Sequence, residues 1–334
     1  MPERLQMLET WLQNVLASNV LTLVPITNDA SFRRYFRVTL NGNNYIAMDA
    51  PPDKEDCRPF VDITKRLLKA GVNAPEIIAS DIENGFLLLT DFGSTLYLSQ
   101  LNEANVEKLY GDAIQALIVI QRHASIENLP PYDNALLHRE MGLFDNWLVN
   151  KHLNFSMSYQ EQQRLYDNFE LLSNTALKQP ITFVHRDYHS RNLMITEQNN
   201  PGILDFQDAV VGPMTYDLVS LLRDCYISWP REKVETWALN YYQQAQDEKL
   251  FNDMSEIQFL QWFDWMGIQR HLKASGIFAR LYHRDGKDGY LGDIPRTLNY
   301  IVEVGEMYPE LTFLHQFVTQ VVDKFNDKSL NNSE

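Results

Sequence analysis

Two neighbouring stretches decide the fold: Val184-His185-Arg186-Asp187-Tyr188-His189-Ser190-Arg191-Asn192 and Ile203-Leu204-Asp205-Phe206. The apolar run 181–184 predicts a short buried strand that ends at the first polar stretch. Residues 193–196 predict a second strand, and a turn rich in Asn, Pro and Gly leads to a third strand that ends at Asp205. We expect this strand–loop–strand–turn–strand pattern to bring Asp187, Asn192 and Asp205 to one edge.

These three side chains are the types that magnesium-dependent phosphoryl transfer requires. Asp187 would orient and deprotonate a hydroxyl group, and Asn192 and Asp205 would supply oxygen ligands for Mg²⁺. The His-Arg-Asp-x-x-x-x-Asn spacing over 185–192 is the pattern of protein-kinase catalytic loops. By chance it should occur in roughly one chain of this length in several hundred. Taken singly, His185 could be a core histidine, Asp187 a turn residue and Asn192 a cap.

Composition indicates a folded globular protein, and 334 residues would usually divide into two domains. The net charge of −15 argues against nucleic acid or an anionic membrane as partner, because both require a basic surface. The longest apolar runs are shorter than a membrane span, and residues 1–4 do not resemble a signal peptide. Cys57 and Cys225 lack the spacing of a metal site or a disulfide framework. We therefore expect a cytoplasmic protein.

The N-terminal part of the sequence predicts a strand-rich lobe. Apolar spacing indicates a helix over 4–16 and another over 58–70, the second closed by Gly71. Alternation and turn residues predict strands over 20–26, 32–40, 45–50, 75–80 and 86–90.

The turn at 27–31 takes the position at which a kinase-like lobe covers nucleotide phosphates, although it has no glycine run. Ser31, together with Arg33 or Arg34, could hold phosphate oxygens. Because successive residues of a strand point to opposite faces, only one of these arginines can easily do so. Both could equally be solvated charges of the hairpin.

The tripeptide Asp91-Phe92-Gly93 has the letters of the kinase metal-binding motif, but it precedes the catalytic loop. We interpret it as the hinge between lobes, where backbone groups of Thr90, Asp91 and Phe92 could hydrogen-bond adenine. The boundary near residue 92 then gives an N-lobe over 1–92 and a C-lobe over 93–334.

After Ser99 the apolar spacing is mostly helical. Helices are predicted near 103–123, 143–148, 165–172, 216–227, 232–245, 255–282 and 313–325, and the polar tail from Asn326 is expected to be frayed. The fold class is therefore α+β, with a small antiparallel sheet in the N-lobe and a larger, mostly helical C-lobe.

Nearly the whole chain resembles the aminoglycoside-phosphotransferase family of kinase-like folds. The segments that carry the resemblance are His185-Arg186-Asp187 through Asn192, Ile203-Leu204-Asp205-Phe206-Gln207-Asp208-Ala209 and Gly212-Pro213-Met214-Thr215-Tyr216-Asp217-Leu218. The resemblance implies a bilobal protein-kinase-like fold that binds ATP and Mg²⁺. It also implies that Asp187 is the catalytic base, that Asn192 and Asp205 are metal ligands, and that Asp217 braces the catalytic loop.

Other segments are similar to bacterial kinases of cell-wall recycling, which phosphorylate the anomeric hydroxyl of N-acetylmuramate and N-acetylglucosamine. These segments are 29–37, 48–52, 221–226, 269–272 and 276–280. This similarity implies an amino-sugar acceptor, bound by C-lobe helices. Candidate acceptor residues are His189, Tyr226, Trp229, Asp264, Arg270 and His271, although Trp229 and Asp264 could be packing and surface residues.

The third strand departs from the family pattern. Most relatives carry a lysine or arginine there that pairs with phosphates and a helix glutamate, whereas this strand reads Tyr45-Ile46-Ala47-Met48-Asp49. Asp62 could take the place of the helix carboxylate, and an arginine of the first hairpin could supply the missing charge. The departure leaves a pseudokinase open as an alternative. An aminoglycoside, choline or homoserine are alternative acceptors, and we expect a monomer or a weak dimer.

Overall fold

The computed structural model describes residues 2–26 and 32–331. The turn at 27–31, including Ser31, lies outside these residues. Contacts divide the chain into two compact units, the first comprising Met1–Leu101, His123–Ser125 and Arg191–Asp208, and the second the remainder. The lobe boundary near residue 92 stays a prediction, and by contacts the hairpin after the catalytic loop belongs to the first unit.

The strands, in chain order, are β1 (Thr22–Ile26), β2 (Arg34–Leu40), β3 (Asn43–Asp49), β4 (Ile77–Asp81), β5 (Phe86–Thr90), β6 (Ile181–Val184), β7 (Leu193–Met194), β8 (Gly202–Ile203) and β9 (Val210–Pro213).

The α-helices are α1 (Pro2–Val15), α2 (Arg58–Ala70), α3 (Tyr97–Gln100), α4 (Val106–His123), α5 (Asn134–Leu143), α6 (Tyr159–Ala176), α7 (Tyr216–Leu222), α8 (Arg231–Asp247), α9 (Glu256–Asp285), α10 (Ile294–Met307) and α11 (Thr312–Asn331), and Phe144–His152 forms a π-helix. Among the helices of the described residues, none combines the length and the apolar character that a bilayer crossing requires.

The first unit is built on an antiparallel sheet of order β1-β2-β3-β5-β4. Asn41 and Gly42, with φ of 51° and 82°, form the two-residue turn between β2 and β3. Such a turn matches the right-handed twist of the strands that it joins. One face of the sheet packs under α1 through Leu8, Leu12, Phe36, Val38, Ala47, Phe86 and Leu88. The predicted N-terminal sheet is confirmed.

Helix α2 and strand β5 have the predicted bounds. Gly71 ends α2 at φ 92°, a left-handed conformation that glycine adopts without a Cβ clash. The β7–β8 ladder is shorter than predicted. Strand β8 ends at Ile203 because the chain soon leaves the extended conformation, with Asp205 at φ 59°.

The second unit contains the short β6–β9 pair and most of the helices. Its central element is the 30-residue helix α9, which is buried along much of its length. Helix α10 was not predicted, although Ile294, Leu298, Ile301 and Val304 have helical spacing and are fully buried.

Two expectations for the second unit are wrong. Helix α7 stops at Leu222, not near 227, because Arg223 has φ −117° and ψ 51°. The tail from Asn326 is not frayed at its start, since α11 continues to Asn331.

Candidate active site

The catalytic-loop sequence is held by a buried carboxylate in the second unit. Asp217, at the start of α7, accepts hydrogen bonds from the backbone N–H groups of His185 (2.6 Å) and Arg186 (2.9 Å). His185 is fully buried, and its Nδ1 accepts a hydrogen bond from the backbone N–H of Asp187 at 3.2 Å. Arg186 has φ 79°, a conformation that costs a non-glycine residue energy and persists where the surroundings impose it. These contacts support the predicted bracing role of Asp217. They hold the backbone of residues 185–187, from which the Asp187 side chain extends.

Asp187 lies in the wall of a cavity of about 100 Å³. Three predicted acceptor residues, His189, Tyr226 and Arg270, share this wall. The ring of Tyr226 packs edge-on against His189, with centroids 5.5 Å apart. The structure thus brings together the predicted base and half of the predicted acceptor set, all within the second unit.

The other three predicted acceptor residues are placed elsewhere. Asp264 is buried against Arg223 (2.9 Å) and Arg231 (3.2 Å). His271 donates from Nε2 to the carbonyl of Arg223 and stacks on Tyr300.

Trp229 donates from Nε1 to the hydroxyl of Tyr110 and packs edge-on against Trp237. None of Trp229, Asp264 and His271 is among the cavity's described lining residues. Their contacts are those of internal packing.

Two cavity residues, Lys273 and Asp224, were missed by the sequence prediction. Lys273 stands three residues after Arg270 on α9, a spacing that puts both on one helix face and could have indicated it. Asp224 accepts hydrogen bonds from the backbone N–H groups of Ser190 (3.0 Å) and Tyr226 (3.0 Å). The hydroxyl of Ser190 donates to the same carboxylate. Asp224 therefore orders the end of the catalytic loop.

Basic side chains determine the charge state of Asp187. Burial by itself would raise the pKa of Asp187, but Lys273, His189, Arg270 and Arg186 outweigh it and hold that pKa below its ordinary value. Asp187 is therefore a carboxylate at neutral pH and can accept a proton.

Two of these cations are themselves anchored to a buried carboxylate, Glu140. Arg186 donates to Glu140 at 2.5 Å, and the ammonium of Lys273 lies 3.4 Å from the same oxygen. Lys273 also donates to the hydroxyl of Tyr216 at 2.8 Å. The positive charges beside Asp187 are thus fixed in place.

The predicted metal ligands meet within the first unit. Nδ2 of Asn192 is 3.5 Å from Oδ2 of Asp205, and Gln207 donates to Oδ1 of Asp205 at 3.0 Å. A carboxamide and a carboxylate side by side offer the hard oxygen donors that Mg²⁺ prefers. The donor set fits this ion.

The two arginines of the first hairpin have different partners. Arg34 donates from Nε to the buried carboxylate of Asp49 at 3.0 Å. Arg33 lies 3.8 Å from Glu55 and beside Tyr35. Burial raises the pKa of Tyr35 to about 12; the charge of Arg33 opposes this rise and that of Asp205 adds to it. Arg33 and Asp205, a predicted metal ligand, thus both lie close enough to Tyr35 for their charges to act on it.

The charge pair that the family pattern predicts between the third strand and the following helix is absent from the described residues. The last residue of β3 is a buried carboxylate, Asp49, in place of a cation. It accepts hydrogen bonds from Arg4 (2.7 Å) and from Arg34. Asp62 pairs with Arg66 on its own helix at 2.8 Å. Asp62 thus takes part in a local helix pair.

The predicted hinge segment is held by its side chains. Asp91 accepts from Arg37 at 2.6 Å and from the backbone N–H of Gly93 at 2.8 Å. Thr90 accepts from the backbone N–H of Glu76 at 3.0 Å. A Cβ on Gly202 would come within 2.6 Å of the Phe92 ring, which packs there. Within the described residues, the backbone groups of Asp91 and Phe92 make no hydrogen bond, so they are available to a ligand.

Family comparison confirms the class of protein that the fold and these residues indicate. The model of the phosphotransferase enzyme family (APH) matches residues 22–260, and the chain belongs to this family.

Three relatives, each named N-acetylmuramate/N-acetylglucosamine kinase, align over nearly their whole length. The relative from Pseudomonas putida is 46% identical, over 96% of this chain and 98% of its own. That from Pseudomonas aeruginosa is 43% identical over 95% and 97%. That from Neisseria meningitidis is 41% identical over 94% and 95%.

Solved structures confirm the predicted protein-kinase-like α+β fold. A choline kinase from Streptococcus pneumoniae has a TM-score of 0.60 at 13% identity, covering 88% of this chain and 97% of its own. An ADP-bound aminoglycoside phosphotransferase has a TM-score of 0.54 at 16% identity, covering 89% and 98%. At such identities the likeness concerns the fold.

Proposed function

We propose that this protein is an ATP-dependent kinase that phosphorylates the anomeric hydroxyl of N-acetylmuramate and N-acetylglucosamine. Support comes from the name of the three relatives at 41–46% identity. Further support comes from an ionised Asp187 in the wall of a cavity.

In the proposed reaction, Asp187 orients the sugar hydroxyl and accepts its proton. The sugar oxygen forms a bond to the γ-phosphorus while the bond from that phosphorus to the β–γ bridging oxygen breaks. The products are the sugar phosphate and ADP, and the proton resides on Asp187. An anomeric hydroxyl is more acidic than an ordinary alcohol, so a carboxylate of low pKa is a sufficient base late in the transfer.

Asn192 and Asp205 would hold the magnesium ion that accompanies the nucleotide. When bound, Mg²⁺ neutralises charge on the phosphate oxygens. Arg33, whose charge acts on Tyr35 together with that of Asp205, is the better candidate for the cation absent from β3, because Arg34 is engaged by Asp49. Backbone groups of Asp91 and Phe92 would hydrogen-bond adenine.

The observation that carries the choice of acceptor is the sign of charge around Asp187. Arg270, Lys273 and His189 face the same cavity, and Asp224 is engaged by the loop. These positive charges would repel a cationic acceptor such as choline or an aminoglycoside. This cavity therefore suits a neutral or anionic sugar.

The test is ADP release by the purified protein with Mg-ATP and each of five acceptors: N-acetylmuramate, N-acetylglucosamine, kanamycin, choline and homoserine. We expect turnover with the two amino sugars. The NMR spectrum of the product should show a coupling between phosphorus and the anomeric proton. Asp187→Asn, which lacks the proposed base, serves as the low-turnover control. Turnover with choline or kanamycin alone would refute the acceptor assignment. Mg-ATP binding without ADP release on any acceptor would favour a pseudokinase.

A further inference from the structure

Within the described residues, Arg270 is a buried cation that forms no direct ion pair with a carboxylate, although the charge of Asp187 acts on it. Its side chain is on α9 in the wall of the Asp187 cavity, and the residue is only 6% exposed. Within the described residues, Arg270 forms no ion pair and its Nε has no hydrogen-bond partner. Its one hydrogen bond runs from Nη2 to the carbonyl of Arg186 at the long distance of 3.5 Å. The guanidinium carbon also lies 5.1 Å from the centre of the Tyr216 ring.

Two other arginines of the same unit are paired. Arg223, also buried, donates to Asp264 at 2.9 Å, and Arg186 donates to Glu140 at 2.5 Å. A buried charged donor that lacks a partner lowers the stability of the folded protein. Such a donor is therefore expected where a ligand supplies the missing acceptor. Among the described residues that line the cavity, Arg270 is thus a guanidinium left to bind a ligand.

The shape of the guanidinium defines the class of ligand. A guanidinium presents parallel N–H donors that match the two oxygens of a carboxylate. Lys273, one helical turn further along α9, adds a second positive charge to the same wall and is fixed by Tyr216 and Glu140. The cavity volume of about 100 Å³ corresponds to about three waters at ~30 Å³ each, which is the size of a carboxylate group.

The two sugars of the proposed function differ in this chemical group. N-acetylmuramate carries a lactyl ether that ends in a carboxylate, whereas N-acetylglucosamine has a hydroxyl at the same position. We propose that Arg270, assisted by Lys273, forms a carboxylate subsite by which the enzyme prefers the acidic sugar. This inference rests on the proposed function and adds to it a residue that determines specificity.

The experiment compares kcat/KM for N-acetylmuramate, its methyl ester and N-acetylglucosamine in wild type and in Arg270→Gln. We expect wild type to lose about 10- to 100-fold on the methyl ester, the range for losing hydrogen bonds to a charged group. Arg270→Gln should lower the ratio of kcat/KM for the acidic sugar over N-acetylglucosamine by the same range. In this variant the ester and the acid should become nearly equivalent. Arg270→Lys should recover part of the ratio, because it keeps the charge without the parallel donors.

Arg280→Gln is the matched control, because Arg280 lies ten residues later on α9 and outside the described lining of the cavity. Its substrate ratio should equal that of wild type.

Equal losses on both sugars in Arg270→Gln would overturn the subsite and assign Arg270 to chemistry that both substrates share. An unchanged ratio would overturn it as well. The ester arm uses only the wild-type protein, so it decides the question even if the glutamine variant does not fold. A wild-type enzyme that phosphorylates neither sugar would refute the proposed function itself, and the subsite with it.

Discussion

Nδ2 of Asn192 lies 3.5 Å from Oδ2 of Asp205, although 13 residues separate the two in sequence. The β7–β8 ladder causes this proximity. Leu193 pairs with Ile203, and the N–H of Leu204 donates to the carbonyl of Asn192 at 2.9 Å. Asp205, at φ 59°, then turns out of the strand direction. The oxygen donors are therefore set by the backbone before any ion binds.

Replacing Asp205 should weaken metal-dependent nucleotide binding. Asp205→Asn removes the negative charge that would hold the ion, and we expect the Kd for Mg-ATP to rise at least about tenfold, since a close charge pair near a protein surface is worth about 4 kcal/mol before desolvation. Calorimetric titrations with ATP, with and without Mg²⁺, measure the effect. Glu197→Gln, an exposed acidic residue of the same hairpin, is the matched control and should bind like wild type. Equal metal dependence in Asp205→Asn and wild type would disprove the ligand assignment.

Replacing Asp187 should affect turnover and leave nucleotide binding intact. Asp187→Asn keeps the size of the side chain but cannot accept the proton, and general-base catalysis is worth about 10²- to 10⁴-fold in rate. We expect kcat to fall by that factor while the Kd for Mg-ATP stays within about threefold of wild type. Single-turnover phosphorylation measured beside calorimetry separates the two quantities. A variant with near-normal kcat would show that Asp187 is not the base.

The two hairpin arginines should give opposite phenotypes. Arg33→Gln should raise the KM for ATP by about tenfold or more, because it removes the candidate phosphate cation. Arg34→Gln should instead lower the free energy of unfolding by about 1–3 kcal/mol, because it leaves the buried Asp49 with Arg4 as its remaining arginine. ATP titrations and urea denaturation of both variants test the pair. The opposite assignment of effects would mean that Arg34 serves the nucleotide.

The elements around the catalytic-loop motif were predictable because their signals are local. A motif of fixed spacing made Asp187 and Asn192 the candidates, and a short apolar run predicted the observed bounds of β6, 181–184. Gly71 ended α2 where a left-handed residue was expected.

The residues that line the cavity were harder to predict because α9 is buried on most sides. Arg270 and His271 are neighbours in sequence and both buried, yet Arg270 faces the cavity and His271 packs on Tyr300. Hydrophobic periodicity separates a buried face from an exposed one, and it does not separate two buried faces. Lys273 escaped prediction for the same reason.

His271 should make the folded state sensitive to acid. Burial lowers the pKa of His271 to about 3, from an ordinary value of 6.5. Between these values the unfolded chain binds a proton that the folded protein does not, so stability is complete above pH 6.5 and is lost as pH falls. For this one group the loss between pH 7.5 and pH 5 is about 2 kcal/mol.

His271→Gln should reduce this pH dependence, since glutamine can donate to the carbonyl of Arg223 and does not titrate. We expect the difference in unfolding free energy between pH 7.5 and pH 5 to shrink by about 2 kcal/mol, measured by urea denaturation. His152, whose pKa burial lowers to about 4, should supply part of the dependence that remains. An unchanged difference would mean that His271 is protonated in the folded protein.

Two glycines of α9 should respond in opposite ways to alanine. A Cβ on Gly276 would lie 2.3 Å from the carbonyl carbon of Leu143 and 2.4 Å from the backbone nitrogen of Phe144. These are backbone atoms at the junction of α5 and the π-helix, so relief requires a whole element to move. A Cβ on Gly267 would have its nearest neighbours at 3.6 Å, an ordinary contact.

Alanine is better than glycine in a helix by up to about 1 kcal/mol. Gly267→Ala should therefore be neutral or stabilising, whereas Gly276→Ala should destabilise by about 3 kcal/mol or more, because the clash exceeds the gain in helix propensity. Urea denaturation of both variants measures the difference, and equal stability of the two would show that α9 does not approach the backbone of Leu143 so closely.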